Sequence, residues 1–335
     1  MRYLLIIAGV IIVGFTIVDL IWTSLWVDGG AGPLTDRMTN IAWKLLKKAD
    51  RKIKNILNLS GPFLLIGTLA SWMMLFWIGW TLIFAGSEGI LRTSGNEPVQ
   101  WHDYLYYSAY VIFTLGNGEF YPIGAVWQIV TSLATGFGMM FLTLGTSYIL
   151  SIIGAVIRKR AFASSVFGIG KSAEEIIINA WDGNDFYKMD LYLNDLSTEL
   201  SILTYQHKAY PLLFYYHTSS RIQALSVAVQ IIDDVLSFFD YGLTDEVKIN
   251  MLLVRSLRSS IDEYLETLEK IFIEFEDRAL YLPDINNISY AGIPTVEEGE
   301  FRKKMEEIEG RRQMLYGLMV ADNRRKTDGS AHPMN

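Results

Sequence analysis

The chain of 335 residues has no cysteine. Disulfides, thiolate nucleophiles and cysteine-ligated metals are therefore excluded together. Its four histidines, His102, His207, His217 and His332, are not paired at helical ligand spacing, so no zinc site is expected. Positive charge is also thin: residues 1–170 carry 12 Lys and Arg against 8 Asp and Glu, and residues 171–335 carry 17 against 28. No nucleic-acid partner is expected, since phosphate binding needs a basic patch on a folded face and the chain is acidic as a whole. There is no Rossmann glycine fingerprint and no EF-hand spacing. The stretch 167-FGIGKSAEE-175 lacks the spacing of a phosphate loop. Paired intramembrane carboxylates, a His–Glu metal set and an activated serine are absent too, so no enzyme is expected.

Long apolar runs are what the chain does have. Residues 3–26, 62–86 and 123–157 each exceed the ~20 residues that cross a hydrocarbon core. The first is too long for the h-region of a signal peptide and reads as an uncleaved span. Residues 36–54 contain Arg37, Lys44, Lys47, Lys48, Arg51, Lys52 and Lys54 against Asp36 and Asp50, and residues 158–160 read RKR. Residues 87–103 carry Glu88, Glu97 and Asp103 against Arg92. Positive loops stay in the cytoplasm, which puts the N-terminus outside and the C-terminus inside a cell membrane. Asp19 is the one charge within a run. Its position beside Trp22 and Trp26 suggests an interfacial residue, with an ion path or a basic partner as the other reading.

Between the second and third runs lies 101-WHDYLYYSAYVIF-113, helical in pattern but only about 20 Å long at ~1.5 Å per residue, too short to span. It is followed by 114-TLGNGEFYP-122. Non-helical backbone at membrane depth survives only inside protein or along a wet cavity. Gly116 and Gly118 can take positive φ freely, and alternating handedness turns successive carbonyls toward one axis. One chain supplies one such loop, so a closed ring needs several subunits, four being the natural number. Stacked oxygen rings of this kind replace a cation's hydration shell.

These residues resemble the pore-loop potassium channels with two transmembrane helices per pore unit, whose filter reads T-V-G-Y-G-D-x-x-P. Thr114, Gly116, Gly118 and Pro122 match, Glu119 stands for the aspartate, and Leu115 replaces valine. The resemblance covers about residues 60–160. It implies a homotetramer in the lipid membrane, with a selectivity filter of Thr114, Leu115, Gly116, Asn117 and Gly118. K+ would be held by the backbone of Thr114, Leu115, Gly116 and Asn117. It also implies Glu119 at the outer mouth, filter support from Tyr106, Tyr107 and Tyr110, and a gating hinge at Gly136 and Gly138. No cofactor is expected beyond permeant K+, or Na+. Two departures keep selectivity open. Phe113 stands where many members have threonine, and Asn117 replaces the tyrosine that packs behind the filter. Related sodium/potassium channels carry a short polar residue at that position, so selective and weakly selective conduction both remain. A membrane-anchored helical binding or signalling protein is the rival reading, but an anchor needs no glycine-rich re-entrant loop.

The third run holds Gly136, Gly138, Gly145 and Gly154, which serve either as a hinge or as close-packing positions. Thr143, Thr146 and Ser151 are candidates for a wet cavity, and Ile149, Leu150 and Ile153 for a constriction. Beyond residue 171 the pattern is soluble helix over 172–183, 186–206, 213–240 and 244–276. A loop over 282–297 and a charged helix over 298–323 follow, with Ser172/Glu175 and Thr244 as capping candidates. The acidic pairs Glu174/Glu175, Asp233/Asp234 and Glu306/Glu307 read as a solvated face. The whole is expected to be an all-α membrane protein: three transmembrane helices, a re-entrant pore helix and filter, then a cytoplasmic α-helical bundle. The expected division is an N-terminal helix over 1–27, a basic linker over 28–60 and a pore domain over 61–160. A helical domain over 161–323, whose ligand the sequence does not name, and a disordered tail over 324–335 complete it.

Overall fold

A computed structural model describes residues 2–50, 55–87, 89–95, 97–116, 118–269 and 282–324. The expected tail, apart from Arg324, lies outside them, as do Asn117 and the end of the helix expected to reach 276. The fold is all-α with three helices long and apolar enough to cross a membrane. It divides into two compact units.

The first unit comprises Met1–Leu46, Ser60–Ile153 and Ala209–Tyr215. Helix α1 (Arg2–Leu25) and helix α3 (Ser60–Ala85) are apolar on nearly all sides, as spans must be. They approach closely through small residues: a Cβ on Gly9 would lie 2.5 Å from the carbonyl oxygen of Gly79. Between them runs an amphipathic helix, α2 (Pro33–Asp50). The short helix α4 (Trp101–Ile112) follows, and then α5 (Ala125–Ile169), whose 45 residues reach about 68 Å at ~1.5 Å each, well past a bilayer core. A two-stranded antiparallel ribbon, β1 (Leu91–Thr93) with β2 (Phe120–Pro122), pairs Arg92 with Tyr121 and closes the loop that contains α4. The apolar core of this unit gathers Phe76, Trp80 and Phe84 of α3, Tyr107, Val111 and Ile112 of α4, and Ala134 of α5.

The second unit comprises Lys47–Leu59, Gly154–Lys208 and Tyr216–Asn335. It is built around α8 (Leu225–Tyr241), buried on almost every side. Helices α6 (Ala173–Ala180), α7 (Asp190–Ala209), α9 (Met251–Glu269), α10 (Ile285–Tyr290), α11 (Glu298–Glu307) and α12 (Glu309–Ala321) complete it. Ser172 caps α6 through the Glu175 amide at 3.2 Å, as its spacing suggests.

Three expectations of continuous helix are corrected. The stretch 213–240 breaks into 3-10 turns at Pro211–Tyr215 and Arg221–Gln223 before α8 begins. Between them Thr218 accepts the Ser220 amide, and His217 bonds the distant Asp322. Helix α9 begins at Met251 rather than 244, because the intervening chain is bridged at Leu243–Thr295 and Asp185–Lys248. The charged helix is interrupted at Ile308, and the loop before it holds α10, capped by Asp284.

A fourth correction concerns charge. Asp233 and Asp234 are buried in α8 rather than solvated. Arg258 of α9 and Arg311 of α12 bond Asp233 at 3.2 and 2.7 Å, and Arg312 bonds Asp234 at 2.6 Å. The α12 cations lie 78 residues away in sequence, which no local spacing could reveal.

Candidate functional site

The site is the loop between α3 and α5. Helix α4 starts where the Gln100 amide donates to the Asp103 carboxylate at 2.7 Å, a carboxylate at the positive end of a helix. Polar anchors fix its length against the spans. The Trp77 indole donates to the Leu105 carbonyl at 3.0 Å, and the hydroxyls of Thr81 and Ser108 lie 2.6 Å apart. Tyr107 is buried: its hydroxyl meets that of Thr131 on α5 at 2.8 Å, and its ring stands edge-on to Phe84 at 5.1 Å. Tyr110 lies beside Tyr107, and its carbonyl accepts the Leu115 amide at 3.0 Å. Tyr106 instead meets Phe120 of the ribbon, edge-on at 5.9 Å.

After α4 the backbone changes hand. Thr114, Gly116 and Gly118 have φ of 55°, 68° and 74°, every second residue of the loop. For a threonine this conformation costs about 1–2 kcal/mol, so the loop is held there by its surroundings. Asn117 lies outside the described residues. At the far end Ser94, just after β1, donates its amide to the Glu119 carbonyl at 3.0 Å and its hydroxyl to the Gly118 carbonyl at 3.2 Å. The loop is thus gripped at both ends, by α4 and by the ribbon. Thr114, Leu115, Gly116, Gly118 and Glu119 are all exposed in the single chain.

Helix α5 packs with one stripe, Ala134, Gly138, Phe141, Gly145, Tyr148 and Ile152, spaced by threes and fours. A Cβ on Gly138 would collide with the carbonyl oxygen of Ile112, so this glycine admits the end of α4 against α5. Gly136 faces open space. Thr143, Thr146 and Ser151 lie on the uncovered side with Met139, Leu142 and Leu150. Tyr148 packs against Trp72 and Tyr210 at 6.1 and 6.0 Å.

A capped short helix, a loop of alternating hand and two flanking spans together define a pore-loop ion channel. Residues 66–155 match the family model described as an ion channel, and the chain belongs to that family. It is also 38% identical over 321 residues to the uncharacterized membrane protein YdjJ of Bacillus subtilis (strain 168), covering 96% of this chain and 94% of the relative. No solved structure matches.

Sequence reasoning missed Ser94, Thr81 and Thr131, hydroxyls whose partners lie 24 to 27 residues away and leave no local pattern. It also misplaced Asp19. This carboxylate is fully buried and accepts three bonds, from the Leu34 amide at 2.8 Å and from the Thr35 hydroxyl and Trp72 indole at 2.7 Å each. It caps α2 from another helix.

Proposed function

We propose that four copies of the chain form a cation channel of the cell membrane that conducts potassium. The observation that carries this reading is the left-handed backbone at Thr114, Gly116 and Gly118. In a fourfold ring, that alternation turns the carbonyls of Thr114, Leu115, Gly116 and Asn117 onto one axis, where they replace water around a dehydrated cation. Glu119 adds a ring of carboxylates at the outer mouth and concentrates cations there. The uncovered side of α5, with Thr143, Thr146 and Ser151, lines the inner path. Opening bends α5 at Gly136 and Gly138 and is driven by the helical unit that follows, with the N-terminus outside and the C-terminus in the cytoplasm. Asn117 favours a second reading of the same pore, weak selection between sodium and potassium, since no aromatic ring braces the filter at that position.

Bilayer recording of the purified full chain under a potassium/sodium gradient tests this, with Gly116→Ala as control because alanine at φ of 68° is strained. Current reversing near the potassium potential, and lost in the variant, is the expected result. Reversal near zero replaces selectivity by the second reading. A monomer in detergent and in bilayers, with no current, overturns the channel.

A further inference from the structure

We propose that α2 is a second membrane contact, a basic amphipathic helix that binds the anionic phospholipid surface beside the spans. The inference rests on α1 and α3 crossing the bilayer and not on conduction.

The first turn of α2 is tied to Asp19, which also holds Trp72 in the middle of α3. From there Thr35, Thr39 and Trp43 form a buried stripe at every fourth residue. The Trp43 ring packs on Phe214 and Tyr215 at 6.3 and 5.4 Å, and the Tyr215 carbonyl accepts the hydroxyl of Ser60, the first residue of α3, at 2.6 Å. Between Thr35 and Trp43, therefore, α2 runs from the level of Trp72 to the end of the span. It crosses the zone where hydrocarbon gives way to headgroups.

Its other side is uncovered. Ile41 and Leu45 are 61% and 62% exposed, one turn apart, and Arg37 and Lys44 are exposed beside them. At 100° per residue these four fall within a sector of roughly 100°, away from the buried stripe. Two aliphatic side chains bordered by cations suit the boundary between acyl chains and phosphates, where such helices lie. The sequence continues basic, with Lys47, Lys48, Arg51, Lys52 and Lys54. Arg37 and Lys44 thus meet lipid phosphates while Ile41 and Leu45 enter the acyl region.

Because the chain has no cysteine, a single introduced thiol can be labelled cleanly. Nitroxides at Ile41→Cys and Leu45→Cys in the full chain, in nanodiscs of phosphatidylcholine with and without phosphatidylglycerol, would be read by oxygen and nickel-chelate accessibility. Val10→Cys on α1 and Tyr290→Cys, 55% and 88% exposed, set the lipid and water limits. Both α2 labels are expected near the lipid limit, and deeper when phosphatidylglycerol is present. Each cation near an anionic surface contributes roughly fivefold to that attraction, so Arg37→Gln with Lys44→Gln should clearly weaken the dependence on phosphatidylglycerol, with the five cations that follow retaining part of it. Labels at the water limit overturn the proposal. So do labels shielded from both reagents, as in a contact with a second copy, and depths indifferent to lipid charge.

Discussion

Both units bury carboxylates, and they hold them in opposite ways. In the first, the described partners of Asp19 are all neutral: one backbone amide, one hydroxyl and one indole. In the second, Asp233 and Asp234 meet three guanidinium groups, with Gln230 adding a bond to Asp234 at 2.9 Å. A cation inside a span would carry its own desolvation cost. Amides at a helix N-terminus supply partial positive charge without adding an ion. In the second unit, long arginines from α9 and α12 keep their stems in the core while their planar heads match carboxylates. The same residue type is satisfied by dipoles in one environment and by ions in the other.

The largest effect expected from breaking this pattern is at Arg312, almost completely buried on Asp234. Arg312→Ala strands a carboxylate in the core, and a loss of about 3–5 kcal/mol is expected in denaturant unfolding of the full chain. Adding Asp234→Leu should return much of it, since the uncompensated charge is then gone. Burial already pushes the Asp234 carboxyl up, to about 6, against the pull of Arg312. If Arg312→Ala costs under about 1 kcal/mol, comparable to a neutral hydrogen bond, Asp234 is protonated and the two units do not differ as described.

A smaller effect separates the units by pH. Asp322, beyond α12, accepts from Ser226 at 2.6 Å and pairs with His217 and Arg324 at 2.9 and 3.0 Å. Burial acts to raise its carboxyl, but the hydrogen bond and charge of His217, with Lys159 and Arg324, hold it at about 2. A folded value below the ordinary carboxylate range means stability present above about pH 4 and lost as pH falls toward 2, about 2 kcal/mol in all. Acid unfolding followed by fluorescence should show this loss, reduced in His217→Gln. An unchanged acid limb in that variant would remove His217 from the account.

Legibility follows the same division. The short helix and the loop after it were readable because their pattern is local. Glycines at alternate positions of TLGNG, after a helix too short to span and between two apolar runs, pointed to α4 and the loop, and Thr114, Gly116 and Gly118 are left-handed. The three spans announced themselves by length. What escaped depends on partners distant in sequence: Ser94 on the far end of the loop, Asp19 under α2, and the arginines of α12 on α8. Helix continuity failed for a related reason. The pattern over 213–240 is apolar enough for one helix, but Asp322 ties His217, ahead of α8, to Ser226 in the first turn of α8, and nothing nearby in sequence says so. Gly138 was legible as small but not as the seat of the Ile112 carbonyl, which only packing decides.

The finest test of the comparison is Asp19→Asn. If Asp19 is held by dipoles, its charge adds little beyond accepting hydrogen bonds. Asparagine keeps one acceptor oxygen; standing where Oδ2 stood it retains the Thr35 and Trp72 bonds, and its amide then faces the Leu34 N–H where Oδ1 stood. The expected loss is about 1 kcal/mol, a fall of roughly 1–2 °C in the thermal midpoint for a chain of this size. Asp19→Leu removes every acceptor and leaves the Trp72 indole and the Leu34 amide unmet, so a larger loss, about 2–3 kcal/mol, should separate the two variants. Equal losses in both would mean that the charge itself matters and that a cation partners Asp19. The first unit would then follow the rule of the second, and the contrast between dipoles and ions would vanish. A small loss for asparagine and a larger one for leucine is the outcome that keeps it.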